Sequence, residues 1–187
     1  MCYDCLVKKE VTMVKMLKTY RQSVPALRFI GLQYGDEDRV NGSFGAQWND
    51  WFGNNRFDWL EKSCSVSAAY EDSDAYIGLM RWKDGEPFEY WIGIFCPAAE
   101  KVPEGFGFVD FPESDLGVVW LYGKENELYQ KEAMCAESCG KEGMSIIPDE
   151  KGAYWFFERY GCPRFTTKDE NGCVILDICH FVEKLTI

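Results

Sequence analysis

Two carboxylates stand where carboxylates are expensive. Glu158 lies within YWFFERY (154–160) and Asp177 within VILDICHF (174–181), each the one acid in a strongly apolar run. Withdrawing a charge from water costs several kcal/mol, comparable with the roughly 5–15 kcal/mol by which a whole domain is stable. An acid held there can serve as counter-charge to a cationic ligand. It can also have its pKa raised and act as general acid or base, activating water in a hydrolysis. The plainer alternatives are a solvated ion pair of Glu158 with Arg159, Arg164 or Lys168, and an Asp177 held by backbone or tyrosine hydrogen bonds.

Other chemistry finds little support. The sequence has no GxSxG, HExxH or Walker motif and no GxGxxG after a strand, and GFGF at 105–108 precedes no lysine-bearing helix start. His180 is the only histidine. Alternation along its strand puts it on the face opposite Asp177, which favours a lone core or surface histidine over a catalytic base. Cys2 and Cys5 form a CxxC and Cys135 and Cys139 a CxxxC. The second spacing is not that of a zinc knuckle and no histidine is near, so they are read as thiols, with no metal and no cofactor expected.

Thirteen Phe, ten Tyr and seven Trp exceed what a core of 187 residues requires, so some are expected to face a ligand. Tyr90, Trp91, Trp120, Tyr122, Tyr154 and Phe156 are the candidates, since a ring adds about 0.5–2 kcal/mol to the binding of a cation. The net charge of −11 repels phosphate backbones and argues against direct nucleic-acid binding while favouring cationic partners. The N-terminal MCYDCLVKKEVTMVKML lacks the apolar core of an export signal, and no run approaches the ~20 apolar residues of a membrane span. Nine cysteines without such a signal read as reduced thiols, and the expected location is the cytoplasm.

The elements that must position the acids follow from periodicity. Residues 1–18 read as a short helical or frayed extension. Val24–Gly35 reads as a strand, and Gly42–Ser63 as a helix interrupted at Gly53-Asn54-Asn55. Ala75–Trp82 and Phe88–Cys96 form a hairpin. After a connector at Pro97–Phe106, Gly107–Gly123 reads as a strand bent at Pro112, and Asn126–Glu142 as a helix capped by Asn126. Tyr154–Tyr160 and Val174–Val182 form a second hairpin around Asn171-Gly172. The order strand, helix, hairpin thus occurs twice, with DAYIGLMRW matching GAYWFFERY. The expected fold is α+β, a tandem pseudo-two-fold repeat of strand–helix–strand–strand halves at about 24–96 and 107–182, whose antiparallel sheets form a ligand cleft.

The succession DAYIGLM, FEYWIGIFCPAAEKVPEGFGFVDFPES, FFERYGCPRFTTKDENG and VILDICHFVEK resembles the GyrI-like domain, the effector-binding domain of AraC-type and MerR-type bacterial transcription regulators. The likeness runs over about 19–184, and the domain is taken as 19–187. It implies a cleft for a lipophilic, often cationic small molecule, with an acid on the last strand facing the ligand. Asp177 occupies that motif, where many relatives carry Glu, and Glu158 in FFERY matches another acidic position. No helix-turn-helix module is expected before the domain, so a stand-alone form is implied. The family also includes hydrolases of cyclopropane-bearing toxins and inhibitors of DNA gyrase. A hydrolase using Glu158 or Asp177 and a module with a protein partner are therefore the alternatives to a binding protein.

Overall fold

The computed structural model describes residues 14–65 and 69–184. Cys2 and Cys5 lie outside them. The elements are β1 (Lys15–Val24), β2 (Leu27–Tyr34), α1 (Gly45–Gly53), α2 (Arg56–Ser63), β3 (Tyr76–Trp82), β4 (Glu89–Pro97), β5 (Gly107–Phe111), β6 (Ser114–Gly123), α3 (Glu125–Leu128), α4 (Glu132–Lys141), β7 (Tyr154–Tyr160) and β8 (Val174–Val182). The fold is α+β, and its eight strands form one antiparallel sheet in the order β1-β6-β8-β7-β3-β4-β2-β5. The near-continuous apolar runs of β4 and β8 are buried on both faces, as inner strands of a covered sheet must be.

The duplication is visible in this order. Strands β2, β4 and β3 with α1 and α2 make one half; β6, β8 and β7 with α3 and α4 make the other, and β3 pairs with β7 where they meet. Aligning Ala75–Trp82 with Ala153–Tyr160 makes Leu79 and Phe157 equivalent, and these two residues face each other in the β3–β7 register. The pseudo-two-fold axis therefore passes between them. The halves join in one continuous sheet, not in two sheets with a gap between them.

Three local expectations are corrected. Residues 15–24, the first four expected to be helical, form a strand because β6 pairs with them along their length. The strand expected from 107 to 123 is two strands that are not neighbours: β5 pairs with β2 and β6 with β1 and β8, the chain turning between them at Pro112 and Glu113. The helix expected from 126 to 142 breaks after Leu128, where Gln130 takes a left-handed conformation (φ 61°), so Asn126 lies inside α3 and caps nothing. The break in the first helix falls at Asn54 and Asn55, the latter also left-handed (φ 53°).

The sheet is strongly curled. Only Pro25 and Ala26 separate β1 from β2, so their ends lie within about 11 Å, yet six places in the sheet separate them, about 29 Å if it were flat. The ring of Phe111 on edge strand β5 lies 4.7 Å from that of Phe181 on β8, five places away. Phe29, Phe95, Phe111, Phe157 and Phe181 fill the inner, concave face. On the outer face α1 and α2 cover one wing through Trp51, Phe57 and Leu60, and α4 covers the other through Cys135 and Cys139. Strands β3 and β7 form the floor between the two helical layers. No helix among the described residues is long and apolar enough to cross a membrane.

Candidate functional site

Glu158 sits on that floor. Alternation along β7 sends Trp155, Phe157 and Arg159 inward and Phe156, Glu158 and Tyr160 outward. Opposite Glu158 on β3 is Gly78. A Cβ there would lie 2.5 Å from the Tyr90 hydroxyl oxygen and 3.1 Å from Glu158 Oε2, so the glycine makes the space that both groups occupy. The Tyr160 hydroxyl donates to Oε2 at 2.7 Å and the Tyr90 hydroxyl at 3.3 Å, while the Trp48 indole N–H donates to the Tyr90 oxygen at 2.9 Å. Phe44 stacks on Tyr90 with ring centroids 4.1 Å apart, and Trp48 and Phe165 each meet Tyr160 edge-on at 4.7 Å. Glu158 is 5% exposed, inside a cage of rings.

Its electrostatics are those of an acid without a cation. Among the described residues, Glu158 forms no ion pair and its hydrogen-bond donors are hydroxyls. Burial pushes its pKa from 4.5 to about 7; Glu132 on α4 adds to the rise, and the Tyr160 and Tyr90 hydroxyls oppose it. Burial, and then the charge of Glu158, hold the phenols of Tyr90 and Tyr160 well above their ordinary range, so both stay donors. Tyr129, between α3 and α4, is raised by the same two causes. His180 lies one strand over on the same face, its ring 5.6 Å from Phe156. Burial depresses its pKa to about 4 and its Nε2 has no hydrogen-bond partner among the described residues, so it adds no charge at neutral pH.

Asp177 is placed differently. It faces inward opposite Arg159, so the two acids do not share a cleft. Arg159 Nη2 lies 2.8 Å from Asp177 Oδ2, and Arg164 reaches both carboxylate oxygens at 2.5–2.9 Å. Arg164 also binds Asp72 at 2.6 Å. Asp177 and Arg159 are 0% and 1% exposed, so this is a buried two-arginine, two-aspartate network and its charges are spent internally. Three of the nominated aromatics lie on this inner face. Trp120 carries Lys18 Nζ 3.6 Å from its ring centre and the Arg164 guanidinium at 4.7 Å. Trp91 donates its N–H to Glu89, and the Tyr122 hydroxyl donates to Asp169. Of the nominated residues, Tyr90, Phe156 and Glu158 come together, and Tyr154 lies further along the same floor.

No family model and no curated protein matches the chain. Solved structures do. SAV2435 bound to tetraphenylphosphonium superposes with a TM-score of 0.63 at 14% identity, covering 89% of this chain and 94% of that one. A Staphylococcus aureus MU50 protein assigned to bacterial transcription regulation gives 0.60 at 13% identity, covering 89% and 99%. The EcmrR C-terminal domain gives 0.54 at 10% identity, covering 90% and 98%. The chain shares their fold. The resemblance to the GyrI-like effector-binding domain read from the motifs holds at that level.

Within this shared fold, several residues around Glu158 escaped nomination. Tyr160 was open to discovery, because it is two residues from Glu158 and strand alternation puts both on one face. Trp48 and Phe44 come from the first helical layer and Gly78 from another strand; their convergence is tertiary and leaves no local signal. A surface depression of about 600 Å³ beside the α1–α2 break is lined by Asn55, Arg56, Trp59 and Phe106 among others and by none of the nominated residues.

Proposed function

We propose that this chain is a binding module that captures lipophilic cations at Glu158. The observation that carries the reading is a buried carboxylate, caged by Trp48, Tyr90 and Tyr160, that among the described residues meets hydroxyls and no cation. A bound cation would supply the missing partner in a medium of low dielectric, where charge attraction far exceeds its value in water. The ring faces would add cation–π attraction. SAV2435, whose fold the chain shares, is bound to tetraphenylphosphonium, itself a lipophilic cation. Asp177 is left out of the ligand site because its arginines already neutralise it.

The test is a thermal-shift and calorimetric comparison of matched cationic and neutral compounds, such as a quaternary ammonium and its carbon isostere. The cation is expected to stabilise and bind, and the isostere to do neither. Equal shifts for both would remove the charge-based reading. A second reading, hydrolysis with Glu158 as general base, draws on the rise of its pKa to about 7, which suits proton transfer at neutral pH. Turnover of a strained lipophilic electrophile, lost in Glu158→Gln at unchanged affinity, would favour it over binding.

A further inference from the structure

The depression beside the α1–α2 break is built unlike the cage around Glu158. Its volume of about 600 Å³ lies within the ~300–1,000 Å³ usual for small-molecule sites. One side of it is aromatic. Trp59 of α2 stacks on Phe106 of the connector, with ring centroids 5.2 Å apart and planes 14° from parallel. Phe106 in turn meets the fully buried Trp51 edge-on at 5.8 Å, so the stack is anchored in the core. Trp59 is nevertheless 44% exposed, and Phe106 is its one ring partner among the described residues. A single exposed ring needs no explanation. What sets this one apart is its surroundings.

The rim is polar and carries both signs. On α2, Asn55 lies four residues before Trp59 and Lys62 three after, so an amide and an ammonium flank the ring on one helix face. Asp58 and Arg56 stand beside it, and Glu104 comes from the connector. Arg56 is held by Asp50 at 3.0 Å. The side chains of Asn55, Asp58, Lys62 and Glu104 make no hydrogen bond or ion pair among the described residues. Two cations stand against two carboxylates, so the depression as a whole favours neither an anion nor a cation. Free donors and free acceptors side by side suit a ligand whose polar groups do both, as hydroxyls do.

We propose that this depression binds a neutral saccharide, its C–H face on the Trp59 ring and its hydroxyls shared among Asn55, Asp58, Lys62 and Glu104. Phe106 holds the indole in place as a platform, and the charged rim supplies the hydrogen bonds. A nucleotide base would also stack on an indole, but its phosphates would meet the carboxylates of Asp58 and Glu104. Recognition here does not involve Glu158 and stands apart from the capture of cations.

The experiment is saturation-transfer NMR on the whole chain with glucose, galactose, mannose, N-acetylglucosamine, maltose and cellobiose, followed by calorimetric titration of those that bind. At least one is expected to bind with a millimolar Kd or tighter. Trp59→Ala, at an exposed position, is expected to weaken it about tenfold, the scale of losing one apolar ring face. Glu158→Gln should leave sugar binding unchanged while it weakens cation capture, so the two readings fail separately. Glucosamine and glucuronate, which add one charge to the same ring, are expected to bind no better than glucose. No binding of any of these sugars at millimolar concentration would overturn the proposal. Binding untouched by Trp59→Ala, or lost in Glu158→Gln, would place the sugar elsewhere and also overturn it. Adenosine monophosphate binding more tightly than every sugar, with the loss in Trp59→Ala, would assign the platform to a nucleotide instead.

Discussion

Glu158 and Arg159 are neighbours in sequence and face opposite sides of the sheet. The acid enters a cage of hydroxyls and rings with no cation among the described residues, and the arginine enters an ion-pair network with Asp177. The register of the hairpin decides this, because it sets Arg159, and not Glu158, opposite Asp177. The two buried acids should accordingly respond in opposite ways to loss of charge.

Glu158→Gln keeps size and hydrogen-bonding capacity while deleting the charge. It is expected to weaken binding of a lipophilic cation by about 1–3 kcal/mol, the scale of a charge-assisted contact out of water. The fold should survive, since nothing in the unliganded chain depends on that charge. Calorimetric titration together with far-UV circular dichroism checks both outcomes.

The same acid should tilt the pH dependence of stability. Its pKa rises from 4.5 to about 7 on folding, so between those values the folded state holds the proton that the unfolded chain has released. Stability from this group is full below pH 4.5 and is lost as pH rises through about 7, a swing of about 3 kcal/mol. Denaturant unfolding of wild type and Glu158→Gln from pH 4.5 to 8 should show the wild type losing ground to the variant by that order. Parallel curves would mean the acid is ionised throughout.

Cation binding should run the other way with pH. Below about 7 the carboxyl is protonated and must lose its proton to meet the ligand, so affinity should rise up to tenfold per pH unit and level off above. Titration in buffers of different ionisation enthalpy should reveal a proton released per ligand bound at acidic pH and none at alkaline pH.

Asp177→Asn should be a stability variant. It leaves Arg159, 1% exposed, beside a neutral amide with Asp72 3.6 Å away as its remaining carboxylate. The expected loss is about 3–5 kcal/mol, the cost of breaking a buried pair from one side. Chemical denaturation measures it, and cation affinity in the folded fraction should match wild type.

Gly78→Ala tests the cage from its other wall. The added methyl meets the Tyr90 hydroxyl oxygen at 2.5 Å and must displace it. A loss of about 1–3 kcal/mol in stability is expected, with weaker cation binding because Tyr90 and Glu158 share the space. Unchanged affinity would show that Tyr90 takes no part in recognition.

Local patterns carried most of the fold into the sequence. Both hairpins, the elbow at Asn54 and Asn55 and the twofold order of elements are written in runs of a dozen residues or fewer. What is not legible is pairing at a distance. Lys15–Val24 carries four exposed residues at its start and charges at Lys15, Lys18 and Arg21, so it does not read as a strand until β6, about a hundred residues away, lies beside it. The face of Glu158 follows from alternation, whereas the fate of Asp177 turns on Arg164, which reaches it from the loop after β7. An acid in an apolar run announces a cost, and its neighbours in sequence do not say whether the protein or a ligand meets it.

The paired exchange of edge strands has a consequence for how the molecule can come apart. The first strand before each half, β1 or β5, lies on the far edge of the other half, against β6 or β2. The two halves are therefore buckled together by their own chain, and neither can be peeled away without stripping an edge from its twin. Melting should be all-or-none despite the internal repeat. A chain cut in the connector between β4 and β5 should yield two fragments that are each unfolded alone and fold when mixed. The same buckle offers a route to intertwined dimers, in which β1 of one copy closes the sheet of another.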